Sequence, residues 1–321
     1  MNVMEKALNQ KIDPFLTGDN LSRLASEALK QPVRAIGSEV LVGGCWNRVI
    51  AVSLEASESD LIFKINLETA NPGIRREYSV LSYFIENTDL PVPRPLLLDL
   101  GGEIIPGSVL IMNRIPGKVM HQTMRFLDSN QRAALTDEIG RYVAALHRFG
   151  SVGFGGVELS QADCYPKWAD FWLPRFDAVV KDISGKNLLE ESFIGAVHGI
   201  REALPGLLSI GGRSTLTHYD IWSGNVMIDF KGSQPFVSGF IDIPGIWADY
   251  ARELSFMEMF GVADDRLYGV YRSTHALDDG FGVRKSIYNL KMHMKHIMMY
   301  PGEAYYRAGA AECLGHIRKA S

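Results

Sequence analysis

The chain has 321 residues, 46% of them hydrophobic and 22% charged, with a formal net charge of −4. That balance belongs to a folded chain rather than a disordered one, and the length exceeds what one core usually fills, so two domains are expected. No run of Lys or Arg offers nucleic acid a patch, and no uninterrupted apolar stretch approaches the ~20 residues that span a bilayer.

Residues 1 to about 33 read as helix, with Leu21, Leu24, Ala25, Ala28 and Leu29 on one face. An antiparallel meander follows: Val40-Leu41-Val42, then Val49 to Leu54, then Leu61 to Ile65, separated by Gly43-Gly44 and a polar turn. Glycines between two strands let backbone N–H groups face phosphates, although two glycines in a hairpin are also an ordinary turn. Lys64 stands inside the third apolar run, where an unpaired ammonium is very unfavourable. It is expected either to contact phosphates, held by Glu77 thirteen residues on, or to face solvent from an edge strand.

A helix is expected over Ile74 to Glu86, and Pro91-Val92-Pro93-Arg94-Pro95 forces extended chain. Val109 to Met112 reads as one more buried strand, broken by Ile115-Pro116-Gly117. The boundary is placed there, giving a β-rich lobe over 1–114 and a helical lobe over 115–321. Arg132 to His147 carries Leu135, Ile139, Val143 and Leu146 on one face, and 168–200 and 249–318 also read as mostly helical.

Between these helices stands Leu216-Thr217-His218-Tyr219-Asp220-Ile221-Trp222-Ser223-Gly224-Asn225, with Asp242 seventeen residues beyond Asn225. Phosphoryl transfer to a hydroxyl needs a carboxylate to accept its proton, a neutral oxygen ligand for magnesium, and a second carboxylate for the metal. His218-x-Asp220-x4-Asn225 followed by Asp242 supplies that set in that order. A buried His before a polar turn also serves as a loop brace. Trp222 is expected to pack as core or to wall a pocket beside the base. His293, Lys295 and His296 lack a carboxylate partner, so a polar helix face is expected there rather than a metal site.

The three cysteines, Cys45, Cys164 and Cys313, are odd in number and widely spaced, with no CxxC. Neither a disulfide framework nor a zinc site is indicated, and a reducing, cytoplasmic location is expected.

On Val42-Gly43-Gly44-Cys45, Phe63-Lys64, Val92-Pro93, His218 to Asn225 and the C-terminal helices, the chain resembles the fructosamine kinase family. That family belongs to the wider group of aminoglycoside phosphotransferases and choline kinases with a protein-kinase-like fold. The resemblance implies an α+β, two-lobed molecule with a small β-rich N-lobe, a larger helical C-lobe and ATP in the cleft. Asp220 would be the catalytic base, Asn225 and Asp242 the Mg2+ ligands, Lys64 and Glu77 the nucleotide-positioning pair, and Met112, Asn113 and Ile115 the adenine hinge. Gly43 and Gly44 would cover the phosphates, and Tyr219 and Trp222 would border the acceptor. The implied reaction is ATP-dependent phosphorylation of a ketosamine hydroxyl. Antibiotic or natural-product phosphotransfer is the alternative on the same scaffold, and a pseudokinase module is a rival that the intact residue set argues against. A Cys45 thiol in a glycine turn is expected either to be exposed near backbone N–H groups and sensitive to oxidants, or to point inward as a small hydrophobe; the resemblance adds a homodimer joined through Cys45 as the alternative to a monomer. Two departures stand out: the family usually has Gly where Tyr219 stands, and an Asp-Pro-Ala type sequence where this chain has Asp242-Ile243-Pro244-Gly245.

Overall fold

The computed structural model describes residues 12–41, 47–57, 59–211 and 213–321. Gly43, Gly44 and Cys45, and with them the phosphate-covering turn and the Cys45 linkage, lie outside the described residues. The chain divides into two units. One runs through Lys118 and takes in Met227–Asp229 and Ser238–Ile243; the other comprises Val119–Val226, Phe230–Val237 and Pro244–Ser321.

In the first unit, helix α1 (Gly18–Leu29) starts where the Thr17 side chain accepts the Asn20 amide at 3.2 Å and ends at Lys30 in the left-handed region. It buries Leu21, Leu24, Ala25 and Ala28, as their spacing requires. Strands β1 (Ala35–Val40), β2 (Arg48–Leu54), β3 (Leu61–Asn66), β4 (Pro95–Asp99) and β5 (Ser108–Asn113) form one antiparallel sheet, ordered β1-β2-β3-β5-β4. Strand β1 therefore precedes the stretch expected for it. Strand β4 was legible only as extended chain, because its leading proline suits an edge strand and masks the strand pattern. Along β3, Leu61, Phe63 and Ile65 point into the core while Ile62, Lys64 and Asn66 take the other face. Between β3 and β4, helix α2 (Pro72–Asn87) is capped by Asn71, which accepts the Ile74 amide at 2.9 Å, and it buries Ile74, Val80, Leu81 and Phe84.

In the second unit, helix α3 (Ser129–Leu146) begins three residues earlier than its apolar periodicity suggests. Asp128 and Gln131 form a reciprocal capping box that fixes the start. Short strands β6 (Gly150–Val152), β7 (Gly155–Gly156), β8 (Arg213–Thr217) and β11 (Ile246–Ala248) make a sheet ordered β6-β8-β11-β7. The hairpin strands β9 (Val226–Lys231) and β10 (Gln234–Phe240) lie between β8 and β11 in the chain. Helices α4 (Trp168–Gly185), α5 (Glu191–Ile200), α6 (Tyr250–Met259), α7 (Asp265–Arg272), α8 (Phe281–Met299) and α9 (Ala304–Ala320) supply most of the remainder. Trp168 and Trp172 of α4 are each 1% exposed and form the centre of the core, with the Trp168 indole N–H donating to Tyr288 Oη at 2.8 Å. The Asp249 side chain caps α6 at Ala251 and receives Arg284 Nε at 2.7 Å, which ties α6 to α8. The architecture is α+β. Among the described residues, no helix is long and apolar enough to cross a membrane.

Candidate active site

Lys64 projects from the middle of the sheet, opposite Val49 on β2 and Leu110 on β5, so the edge-strand reading of this lysine is overturned. Its ammonium donates to Glu77 Oε1 at 2.6 Å and to Asp242 Oδ1. Burial works against the charge, but the two carboxylates prevail and raise the Lys64 pKa above the usual lysine value. Glu77 is well covered, whereas the Asp242 side chain is 53% exposed. Asp242 adopts φ +55°, a left-handed conformation that Asp tolerates better than most residues. The strand, the helix and the segment after β10 thus bring Lys64, Glu77 and Asp242 together within the first unit.

The segment after β5 is also defined there. Met112 is buried, Asn113 gives its amide to Arg94 O at 3.2 Å, and its side-chain oxygen accepts the Arg94 amide. Arg114 gives its amide to Asp60 O at 3.2 Å, whereas the Ile115 amide makes no hydrogen bond among the described residues.

In the second unit, β8 delivers the chain into a loop whose groups are fixed in turn. His218 is fully buried, and its Nδ1 accepts the Asp220 amide at 3.2 Å, which is the loop-brace role. Asn225 donates through Nδ2 to Asp220 O at 3.0 Å and to Asp220 Oδ2 at 2.9 Å, which leaves its own oxygen as the accepting end. Tyr219 has φ +81°, a region that favours glycine, which accounts for the glycine the resemblance leads one to expect there.

What holds this strained residue was not anticipated. Glu253 of α6 accepts the Tyr219 amide through Oε1 at 2.5 Å and meets His147 Nε2 through Oε2 at 2.8 Å, and His147 Nδ1 meets Tyr271 Oη at 2.9 Å. Burial works to raise the Glu253 pKa, but the His147 hydrogen bond and charge, with lesser help from His218 and the Tyr219 amide, hold it below the usual glutamate value. Arg252 stacks over the Tyr219 ring at 3.7 Å and donates to its carbonyl. A signal was available in the sequence. His147 continues the apolar face of α3, and Glu253 directly precedes Leu254, Phe256 and Met257, so each polar group sat where only a buried partner could explain it.

Asp220 faces a cavity of about 740 Å3. Trp222, Phe256, Phe260, His296, Tyr300 and Tyr306 wall it. Trp222 therefore takes the pocket reading rather than the core one: it is 38% exposed and stacks on His121 at 6.2 Å. The expected polar helix face around His293 is corrected. His293 is buried and packs on Tyr305 and Tyr306, and burial pushes its pKa down to about 4.

No cluster of three or more His, Cys, Asp or Glu side chains among the described residues is arranged to hold a metal unaided. Mg2+ characteristically binds one or two carboxylates and completes its shell with water and substrate phosphates. The accepting oxygen of Asn225 and the exposed carboxylate of Asp242 are hard donors of that kind.

A family model described as fructosamine kinase matches residues 18–319. A ketosamine-3-kinase of Mus musculus is 24% identical over 298 residues, covering 79% of this chain and 86% of the relative. Among solved structures, a Thermobifida fusca protein provisionally assigned as a fructosamine-3-kinase superposes with a TM-score of 0.71 at 18% identity, covering 93% of this chain and 98% of that one. APH(2″)-IIIa, an aminoglycoside phosphotransferase held with GDP and kanamycin, does so with a TM-score of 0.63 at 14% identity, covering 93% and 99%. These likenesses show the kinase-like fold.

Proposed function

Given that the chain belongs to the fructosamine kinase family, and is thus a phosphotransferase, we propose that it transfers the γ-phosphoryl group of ATP to a hydroxyl of a small ketosamine. The observation that carries this reading is the Asp220 carboxylate, held by Asn225 and directed at a ligand-sized cavity. In the step, the bond from the γ-phosphorus to its bridging oxygen breaks, a bond to the acceptor oxygen forms, and the hydroxyl proton passes to Asp220. Lys64 supports the nucleotide phosphates, with Glu77 fixing its ammonium. Asn225 and Asp242 would each offer Mg2+ a hard oxygen, and the ion when bound would neutralise charge on the phosphates. For adenine, the free Ile115 amide is the donor offered by the Met112 to Ile115 segment. On this reading the N-terminal 114 residues form the nucleotide lobe, the remainder the catalytic and acceptor lobe, and the enzyme works in the cytoplasm.

Few side chains suffice because the reaction needs positioning and charge neutralisation more than covalent help. The test is ADP release with MgATP across ketosamines, aminoglycosides, peptide antibiotics and nucleosides. Stimulation by ketosamines that Asp220→Asn abolishes supports the reading. Stimulation only by an antibiotic would transfer the assignment to resistance chemistry.

A further inference from the structure

Lys291 and the nearby charges of Arg252, Lys295 and Arg175 lack carboxylate partners among the described residues, and of these Lys295 lines the cavity beside Asp220. Arg175 stacks on Phe171 at 3.8 Å, Arg252 on Tyr219 at 3.7 Å, and Lys291 on Trp172 at 5.3 Å. Lys295 lies one turn beyond Lys291 on α8 and lines the cavity itself. None of the four forms an ion pair among the described residues, whereas other cations such as Arg266, Arg284 and Lys285 do. Burial, followed by the nearby charges of Arg252, Lys295 and Arg175, pushes the Lys291 pKa down to about 7. Lys295, without an ion pair at the cavity wall, favours a ligand group of opposite sign beside it.

The rest of the wall narrows the ligand further. His296, Tyr300 and Tyr306 stack on one another with centroids 5.0 to 6.2 Å apart, and Tyr300 and Tyr305 remain 49% and 62% exposed. Exposed rings grouped at a cavity invite a flat apolar group. Glu303 stands in the same wall with no ion pair among the described residues, so a carboxylate is available for an ammonium.

We propose that the acceptor is the ketosamine of a free aromatic amino acid, with its carboxylate on Lys295, its secondary ammonium facing Glu303, its ring against Tyr300 and Tyr306, and a sugar hydroxyl at Asp220. This proposal rests on the ketosamine kinase reading. It sets a free zwitterionic metabolite apart from an adduct on a protein lysine, which has no carboxylate near the modified nitrogen.

The experiment compares three acceptors: the fructose-derived ketosamine of phenylalanine, the carboxamide of that compound, and the ketosamine of glycine. A hydrogen bond to a charged group contributes about 1.5–3 kcal/mol, so kcat/KM for the acid is expected to exceed that for the amide at least ~10-fold. Lys295→Gln should reduce that ratio to about one by slowing the acid alone, and the phenylalanine compound should outrun the glycine one. Either equality in the wild type overturns the assignment. A second arm needs no turnover: calorimetry of N-acetylphenylalanine against its amide on the wild-type chain and on Lys295→Gln. Selective binding of the acid that Lys295→Gln abolishes, in a protein that phosphorylates no ketosamine, would uphold the anion site while sinking the ketosamine reading. Turnover of ketosamines with no preference for the acid in either arm would do the reverse.

Discussion

Glu253 and Tyr219 are joined by a 2.5 Å hydrogen bond from the Tyr219 amide to a carboxylate that is itself fully buried. That bond holds the residue before Asp220 in a conformation an isolated peptide disfavours, so the aim of the proposed base depends on a side chain 34 residues away.

Replacing Glu253 with Gln should therefore lower stability by ~1–3 kcal/mol and cut kcat about tenfold while leaving nucleotide affinity intact. The pH dependence has a defined sign. A carboxylate whose folded pKa is depressed contributes stability that is fully present above its unfolded value near ~4.3 and is lost as pH falls through the folded value. Denaturant titrations below about pH 4.5 should show the wild type losing this increment and Glu253→Gln showing a shallower acid dependence. Parallel acid profiles would remove Glu253 from this role.

Asp220→Asn should leave ATP binding largely unchanged and slow phosphoryl transfer by at least ~10²-fold, because it removes a proton acceptor and not a nucleotide contact. Single-turnover kinetics with calorimetric nucleotide binding separate the two. Normal turnover in the variant would sink the assignment.

Lys64 and Asp242 share one ion pair but should fail differently. Lys64→Met keeps the stem packed and removes the charge, so catalysis should fall without unfolding. Asp242→Ala should instead weaken Mg2+-dependent nucleotide binding, read as a rise in the Kd of MgATP and little change for ATP in EDTA. Glu77→Gln should give a milder defect than Lys64→Met, since only the orientation of the ammonium is disturbed.

At Tyr219 the backbone predicts an inverted order of substitutions. With φ +81°, Tyr219→Gly should be more stable than Tyr219→Ala by about 1 kcal/mol, the reverse of the order in a helix or strand. Thermal or urea melts of the two variants decide it, and a more stable Ala variant would mean that the loop relaxes.

Much of the centre was legible because its spacing is local. His218 to Asn225 lie in one loop, and a lysine in the middle of an apolar strand demands a partner wherever the strand sits. The two supports each left a signal, but their pairing was not legible, since His147 and Glu253 are 106 residues apart and meet only through the packing of α3 against the later helices. His293 misled for a related reason: the rings that bury it come from α9, beyond the turn that follows its own helix. Strand β4 was hidden by prolines that an edge position tolerates.

The half-exposed rings at Tyr300 and Tyr305 occupy the end of α8 and the first turn of α9, away from the bonds that brace Asp220. Single replacements there remove little buried surface, so they are cheap in fold stability. On the acceptor assignment proposed above, descendants of this chain would change which metabolite they accept by drifting at a few rings, while inheriting the phosphoryl-transfer machinery unaltered.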